Sequence, residues 1–226
     1  DAAHAAGAPD VGRLADASCF SFYANKNLAT GEGGMVLTDS PAIADTCRAL
    51  RSHGRVASSH DKARGHMAGD DVAMHGTNAR LTEMAAALGR VQLRKLAAGN
   101  ARRRKLRRLY AQALGEAVTV PLAGDEDASA CHLMVVALPK GCDRDGVRVA
   151  LANRGIQTSV HYPPVHQFSL FAARSDGAAS TPGLPVTEDL APRLLTLPLY
   201  VALTDGQVRQ VCDGLLAALA AQESRS

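Results

Sequence analysis

Ser21-Phe-Tyr-Ala-Asn-Lys26-Asn-Leu-Ala-Thr-Gly-Glu-Gly-Gly-Met35 sets one lysine in a turn rich in asparagine and glycine. On its N-terminal side, residues 17–22 read as a short buried strand. On its C-terminal side, Gly31, Gly33 and Gly34 lead into a second strand at residues 35–38. The glycines let the backbone bend sharply around a ligand. Ser21, five residues before Lys26, offers a hydroxyl to a phosphate. A lysine amine that loses its proton can condense with an aldehyde cofactor. A solvated lysine on a hairpin turn is the competing reading of the same residues.

Outward from this segment the chain reads as α/β. Ser40 and Pro41 start a helix, as N-cap and first-turn proline; Ile43, Cys47 and Leu50 share its face and Gly54 ends it. Residues 55–76 show no periodicity and read as a long exposed loop. A helical pattern runs from Thr82 to about Leu114, with Gly99-Asn100 expected to break or kink it. Residues 115–130 read as a linker. After it come a strand at 132–138, a helix at 143–154 stopped by Gly155, and a strand at 156–162 ended by Pro163-Pro164. A short helix at 187–194, an extended segment at 195–199 and a last helix capped by Thr204 follow. That last helix gathers Val208, Val211, Cys212, Leu215, Leu216 and Leu219 on one face. The expected division is residues 1–100 and residues 101–226.

Composition narrows the function classes. Of the 226 residues, 46% are hydrophobic and 21% charged, which is ordinary for a folded protein and not for a disordered one. A net charge of +3 is too small to point to nucleic acid or a membrane surface. The basic run Arg102-Arg103-Arg104-Lys105, then Arg107-Arg108, alternates with Leu106, Leu109 and Tyr110. It reads as the solvated face of a helix with one apolar stripe. Five scattered cysteines without a C-x-x-C pair suit reduced thiols in the cytoplasm better than a disulfide framework. No apolar run is long enough to span a bilayer. His161 and His166 lie on a proline-interrupted segment without zinc spacing, so no metal is expected.

Six blocks carry a resemblance. Residues 21–34 read S-F-x-x-x-K-x-x-x-T-G-E-G-G. Asp1-Ala-Ala-His4-Ala-Ala-Gly7 precedes it, and Arg51-Ser-His53-Gly54 follows. Next come Gly76-Thr-Asn78-Ala-Arg80-Leu-Thr-Glu83 with its continuation to Gln92-Leu93, then Arg154-Gly-Ile with His161-Tyr-Pro-Pro-Val-His166, and finally Leu197-Pro-Leu-Tyr200 with Leu203-Thr204. In this order they resemble the DegT/DnrJ/EryC1/StrS sugar aminotransferases. The resemblance implies the fold-type I architecture that binds pyridoxal 5'-phosphate (PLP), here the C-terminal half of the large α/β domain and the small C-terminal α/β domain. Lys26 would carry the cofactor and move protons as base and acid. Asp1 would face the pyridine nitrogen, His4 would lie close to the ring, and Ser21 would bind the phosphate. Asn78 would reach the phosphate of a neighbouring subunit, making a homodimer with shared sites. His161 and Tyr162 would lie towards a nucleotide-sugar substrate, with an amino acid such as glutamate as donor.

Two departures bear on these expectations. Thr77 and Ala79 flank Asn78 where the family often has aromatics. Asp1 opens a stretch that reads as the middle of a domain, so an N-terminal segment is expected before it. The family's phosphate-cradling turn and ring-stacking aromatic belong to that segment, and the chain by itself is expected not to work. A 4-keto-6-deoxyhexose is the expected sugar class. A cyclitol aminotransferase and a non-catalytic homologue are the alternatives; Lys26 argues against the family's dehydratases, which have histidine there.

Overall fold

The computed structural model describes residues 1–55, 71–172 and 183–224. They divide into two compact units, Asp1–Asn100 with Asp127–Ala130, and Ala101–Glu126 with residues from Cys131 onward.

In the first unit, strand β1 (Ser18–Ser21) pairs antiparallel with β2 (Gly34–Leu37), Ser18 opposite Leu37 and Ser21 opposite Gly34. Gly34 is dictated by this pairing, since a Cβ there would stand 2.8 Å from the carbonyl oxygen of Phe20. The strand read as buried is only partly so. Ser18 is buried, Cys19 is exposed and β2 is exposed throughout, and α1 packs against β2. Helix α1 (Pro41–Leu50) starts as its sequence requires: the Ser40 hydroxyl accepts from the N–H of Ile43, and proline occupies the first turn. Gly54, at φ +76°, donates its N–H to the carbonyl of Ala49 and closes the helix end.

The loop expected over 55–76 lies largely outside the described residues. Its described end is not a free loop. Val72 bridges Arg55, Asn78 bridges Ser52, and the N–H groups of Thr77 and Ala79 donate to the carbonyls of Leu50 and Arg51. Gly54 and Gly76 make this return possible. A Cβ on Gly54 would stand 1.7 Å from the carbonyl oxygen of Met74, and one on Gly76 2.1 Å from the amide of Gly54.

Helix α2 (Glu83–Leu114) runs through Gly99-Asn100 without the break expected there as one of two outcomes. Asn100 does not turn its carboxamide on its own helix. It is 2% exposed and bonded to groups outside the helix, so the tertiary partners override its local preference.

The second unit is built on β3 (Met134–Ala137) paired antiparallel with β4 (Leu194–Leu197). Thr119 bridges Ala137 on one side and Ser159 bridges Thr196 on the other. The expected strand at 156–162 is thus a single pair, in which Ser159 and Thr196 exchange both backbone bonds. Pro163 and Pro164, without N–H groups, prevent its extension. The helix expected at 187–194 is α5 (Pro185–Leu190), tightening into a 3₁₀ turn at Ala191–Arg193, where Pro192 lacks a donor; Leu194 already belongs to β4.

Helices α3 (Arg144–Ala152) and α6 (Asp205–Glu223) pack on one another; α4 (Ser169–Ala172) is a single turn. Leu106 and Tyr110 of α2, Met134 and Val136 of β3, Leu151 of α3, Leu195 of β4 and Leu215 of α6 are fully buried together. Gly214 lets α6 approach Ile156, where a Cβ would stand 2.9 Å from its Cδ1.

The basic run is only in part the solvated face read from sequence: Lys105 and Arg108 are exposed, Arg103 and Arg107 are not. Arg103 is buried and donates to the carbonyls of His132 and Leu199. Arg107 is buried and donates to the carbonyl of Pro121, and Arg102 pairs with Asp205 at 2.8 Å. Glu126, 3% exposed, lies 3.9 Å from Arg107 and 3.7 Å from Arg108. The expected linker therefore holds one strand bridge and a buried carboxylate. Guanidinium groups bind backbone carbonyls that the irregular segments leave unpaired.

Candidate functional site

Residues 22–33 close on themselves. The N–H of Phe22 donates to the carbonyl of Gly33 at 2.9 Å, and that of Thr30 to Phe22 at 2.8 Å. The Thr30 hydroxyl donates to the carbonyl of Glu32 at 2.7 Å. Gly33, at φ +150°, leaves room for that hydroxyl, since a Cβ would stand 2.7 Å from it. Inside this closed loop the N–H of Lys26 donates to the carbonyl of Tyr23, so the lysine sits at the end of a turn. Its side chain is half-buried, and burial pulls its amine below the usual lysine range. A lower pKa means more neutral amine at a given pH, and the neutral amine is the nucleophile.

Ser21 ends β1, and its Oγ accepts from the N–H of Tyr23 at 3.3 Å. The N-terminal segment is anchored to the same strand by the N–H of Ala2, which donates to the carbonyl of Cys19 at 2.8 Å. Asp1 is exposed, and its carboxylate accepts from the N–H of Ala3 at 2.8 Å, which fixes it in a local turn. His4, half-buried, lies within the turn closed by the N–H of Ala5 on the carbonyl of Ala2. The structure thus ties Asp1, His4, Ser21 and Lys26 to one strand and its turn.

Asn78 belongs to the same unit but to the returning segment beside Ser52. It is exposed, and its Oδ1 accepts from Arg80 Nε at 3.1 Å. His161 and Tyr162 belong to the second unit. His161 Nδ1 lies 3.0 Å from Thr196 Oγ1 and 3.3 Å from Ser159 Oγ, and the ring meets that of Tyr162 edge-on at 4.8 Å. His166, expected to bind no metal, pairs with Glu188 at 3.2 Å. No group of His, Cys, Asp and Glu suited to a metal occurs among the described residues.

Asn27 and Asn100 escaped the sequence reading. One passed for a turn residue and the other for a helix breaker. Each carboxamide bonds across a long stretch of sequence, which no local pattern signals.

Residues 1–216 match the DegT/DnrJ/EryC1/StrS aminotransferase family. The chain belongs to this family. It is 38% identical over 215 residues to the erythromycin biosynthesis sensory transduction protein EryC1 of Saccharopolyspora erythraea, covering 93% of this chain and 53% of that protein. The aminotransferase TlmJ of Streptoalloteichus hindustanus shares its fold with a TM-score of 0.78 at 32% identity, covering 94% of this chain and 54% of TlmJ. DesI, solved in the presence of its TDP-sugar product, matches with a TM-score of 0.77 at 30% identity, covering 95% of this chain and 52% of DesI. The chain thus spans about half the length of the relatives it matches (53%, 54% and 52%). The architecture is that of the fold-type I aminotransferases.

Proposed function

We propose that the intact protein binds PLP on Lys26 and transfers an amino group from an amino acid such as glutamate to a keto carbon of a nucleotide-linked sugar. The observation that carries this reading is Lys26 itself, a half-buried lysine in a closed turn whose amine releases its proton more readily than a solvated one. The donor set fits the cofactor: an amine for its aldehyde, a hydroxyl at Ser21 for its phosphate, and a carboxylate at Asp1 for its ring nitrogen. Once bound, PLP supplies an electron sink for the bond-breaking at the amino carbon.

The protein's own groups do the rest. Lys26 would be the base and acid that moves the proton. Asp1 would favour a protonated ring nitrogen by its charge, and the Ala3 N–H holds that carboxylate in a local turn. Ser21 holds the phosphate, and Asn78 reaches the phosphate held by a second copy of the chain, so that sites are shared in a homodimer. In this reading residues 1–100 belong to the large cofactor domain and residues 101–226 form the small domain.

The DesI complex with a TDP-sugar supports a nucleotide sugar, and a 4-keto-6-deoxyhexose is the class we favour. His161 and Tyr162 of the second unit are our candidates for contacting it. The reduced state of all five cysteines suits a cytoplasmic enzyme, and no helix among the described residues is long and apolar enough to cross a membrane. EryC1 is named as a sensory transduction protein, which keeps a non-catalytic homologue as the second reading. Asp1, Ser21 and Lys26 together favour the enzyme.

The test is direct. The intact protein should turn yellow with PLP, lose the colour to borohydride with the label on the Lys26 peptide, and aminate a nucleotide-linked keto sugar. Lys26→Ala should fold and lose all transamination. Turnover near wild type in that variant overturns the assignment.

A further inference from the structure

Asn100 projects from the middle of α2 into the first unit and is 2% exposed. Its Nδ2 donates to the carbonyl of Ala6 at 2.9 Å, and its Oδ1 accepts from Asn27 Nδ2 at 2.9 Å. Asn27 Nδ2 also donates to the carbonyl of Ala130 at 2.8 Å. One carboxamide nitrogen therefore meets two acceptors, which uses both its hydrogens. Only amides fill these roles: aspartate would bring no donor to either carbonyl, and an apolar side chain would leave buried polar groups unpaired. Gly7, at φ +77°, is shaped for the same contact, because a Cβ there would stand 2.7 Å from Asn100 Nδ2.

From this geometry we infer that Asn100 is a positioning residue for Lys26, acting through Asn27 to tie the segment that follows the lysine to the N-terminal segment at Ala6, just beyond His4. The inference rests on the proposed role of Lys26 and deepens it. Asn27 is the next residue after Lys26, and Ala6 follows His4 by two positions. The pair thus ties the residue beside the amine to the N-terminal segment that begins at Asp1. Small displacements of reacting groups are costly, since a misplacement of about 1 Å can slow a reaction roughly a hundredfold.

The experiment measures the first-order rate at which Lys26 becomes attached to PLP at saturating PLP, in the intact protein. It is read by visible absorbance and by borohydride trapping of the Lys26 peptide. Asn100→Ala and Asn27→Ala should each slow attachment about tenfold or more, and the double variant should be no slower than the worse single one. Leu96→Ala is the control, because Leu96 packs on the same Gly7 without joining the amide pair. It should lower the melting temperature and leave the attachment rate unchanged. Equal rates in wild type and both asparagine variants overturn the inference while leaving Lys26 in place. If Asn100→Ala does not fold, the half-buried Asn27→Ala decides by the same rate. Wild-type protein that traps no PLP on Lys26 overturns the cofactor reading, and with it this inference.

Discussion

At the scale of single residues, two side chains of the proposed site, Asp1 and Ser21, accept local backbone hydrogen bonds from Ala3 and Tyr23. Asp1→Asn tests the electrostatic part of the proposal with little structural disturbance, because an asparagine oxygen can still accept from the Ala3 N–H. The variant should retain PLP but lose the charge that keeps the ring nitrogen protonated. Its half-reaction with glutamate, followed by stopped-flow absorbance, should slow roughly a hundredfold or more; an unchanged rate means Asp1 does not face the ring. Gly54 tests backbone geometry instead. With φ at +76° and the Met74 carbonyl oxygen 1.7 Å from any Cβ, Gly54→Ala strains the backbone and forces apart the segments that carry His53 and Asn78. A loss of about 2–4 kcal/mol in urea denaturation is expected; a loss below about 0.5 kcal/mol would show that the return of residues 71–79 yields easily.

At the scale of elements, caps and closures repeat the same physics. Helix α6 begins with a full capping box. The Thr204 hydroxyl accepts from the Gln207 N–H at 3.1 Å, and Gln207 Oε1 accepts from the Thr204 N–H at 2.9 Å. Thr204→Ala should cost about 1 kcal/mol, seen as a lower denaturation midpoint with an unchanged slope. A change in slope instead would mean that the second unit's core, which α6 helps to build, had loosened. These caps were legible from sequence because they depend on residues within one turn of each other. The unbroken course of α2 was not. Gly99-Asn100 carries a real local preference for a break, and Asn100 is released from it only by Ala6 and Asn27, more than seventy residues earlier.

At the scale of the whole molecule, the proposal makes the site a property of two chains. Lys26→Ala and Asn78→Asp should each be inactive alone, the first lacking the amine and the second placing a carboxylate against a phosphate. In a mixed dimer, one site combines both defects and the other combines native Lys26 with native Asn78. Activity should return on mixing, towards half of one native site pair. Mixed dimers that form, as shown by tagged co-purification, but stay inactive would place each site within one chain.

The family, the α/β class and the candidate lysine were legible in the residues alone. Those follow from the order of six short blocks and from helix and strand signals whose partners lie close along the chain. Ser21 and Lys26 also read as one strand end and its turn, because only four residues separate them. That the segment after Asp1 joins the same strand, through Ala2 on Cys19, and which polar side chains are buried, emerge only from the fold. Arg103 and Arg107 read as part of a solvated face, yet they bind the carbonyls of His132, Leu199 and Pro121. Asn100 read as a breaker, yet it bonds the Asn27 side chain and the carbonyl of Ala6. The physical reason is the same in both cases. A buried polar group must find a partner to offset its lost hydration, and which partner it finds depends on segments that the chain brings together only by folding.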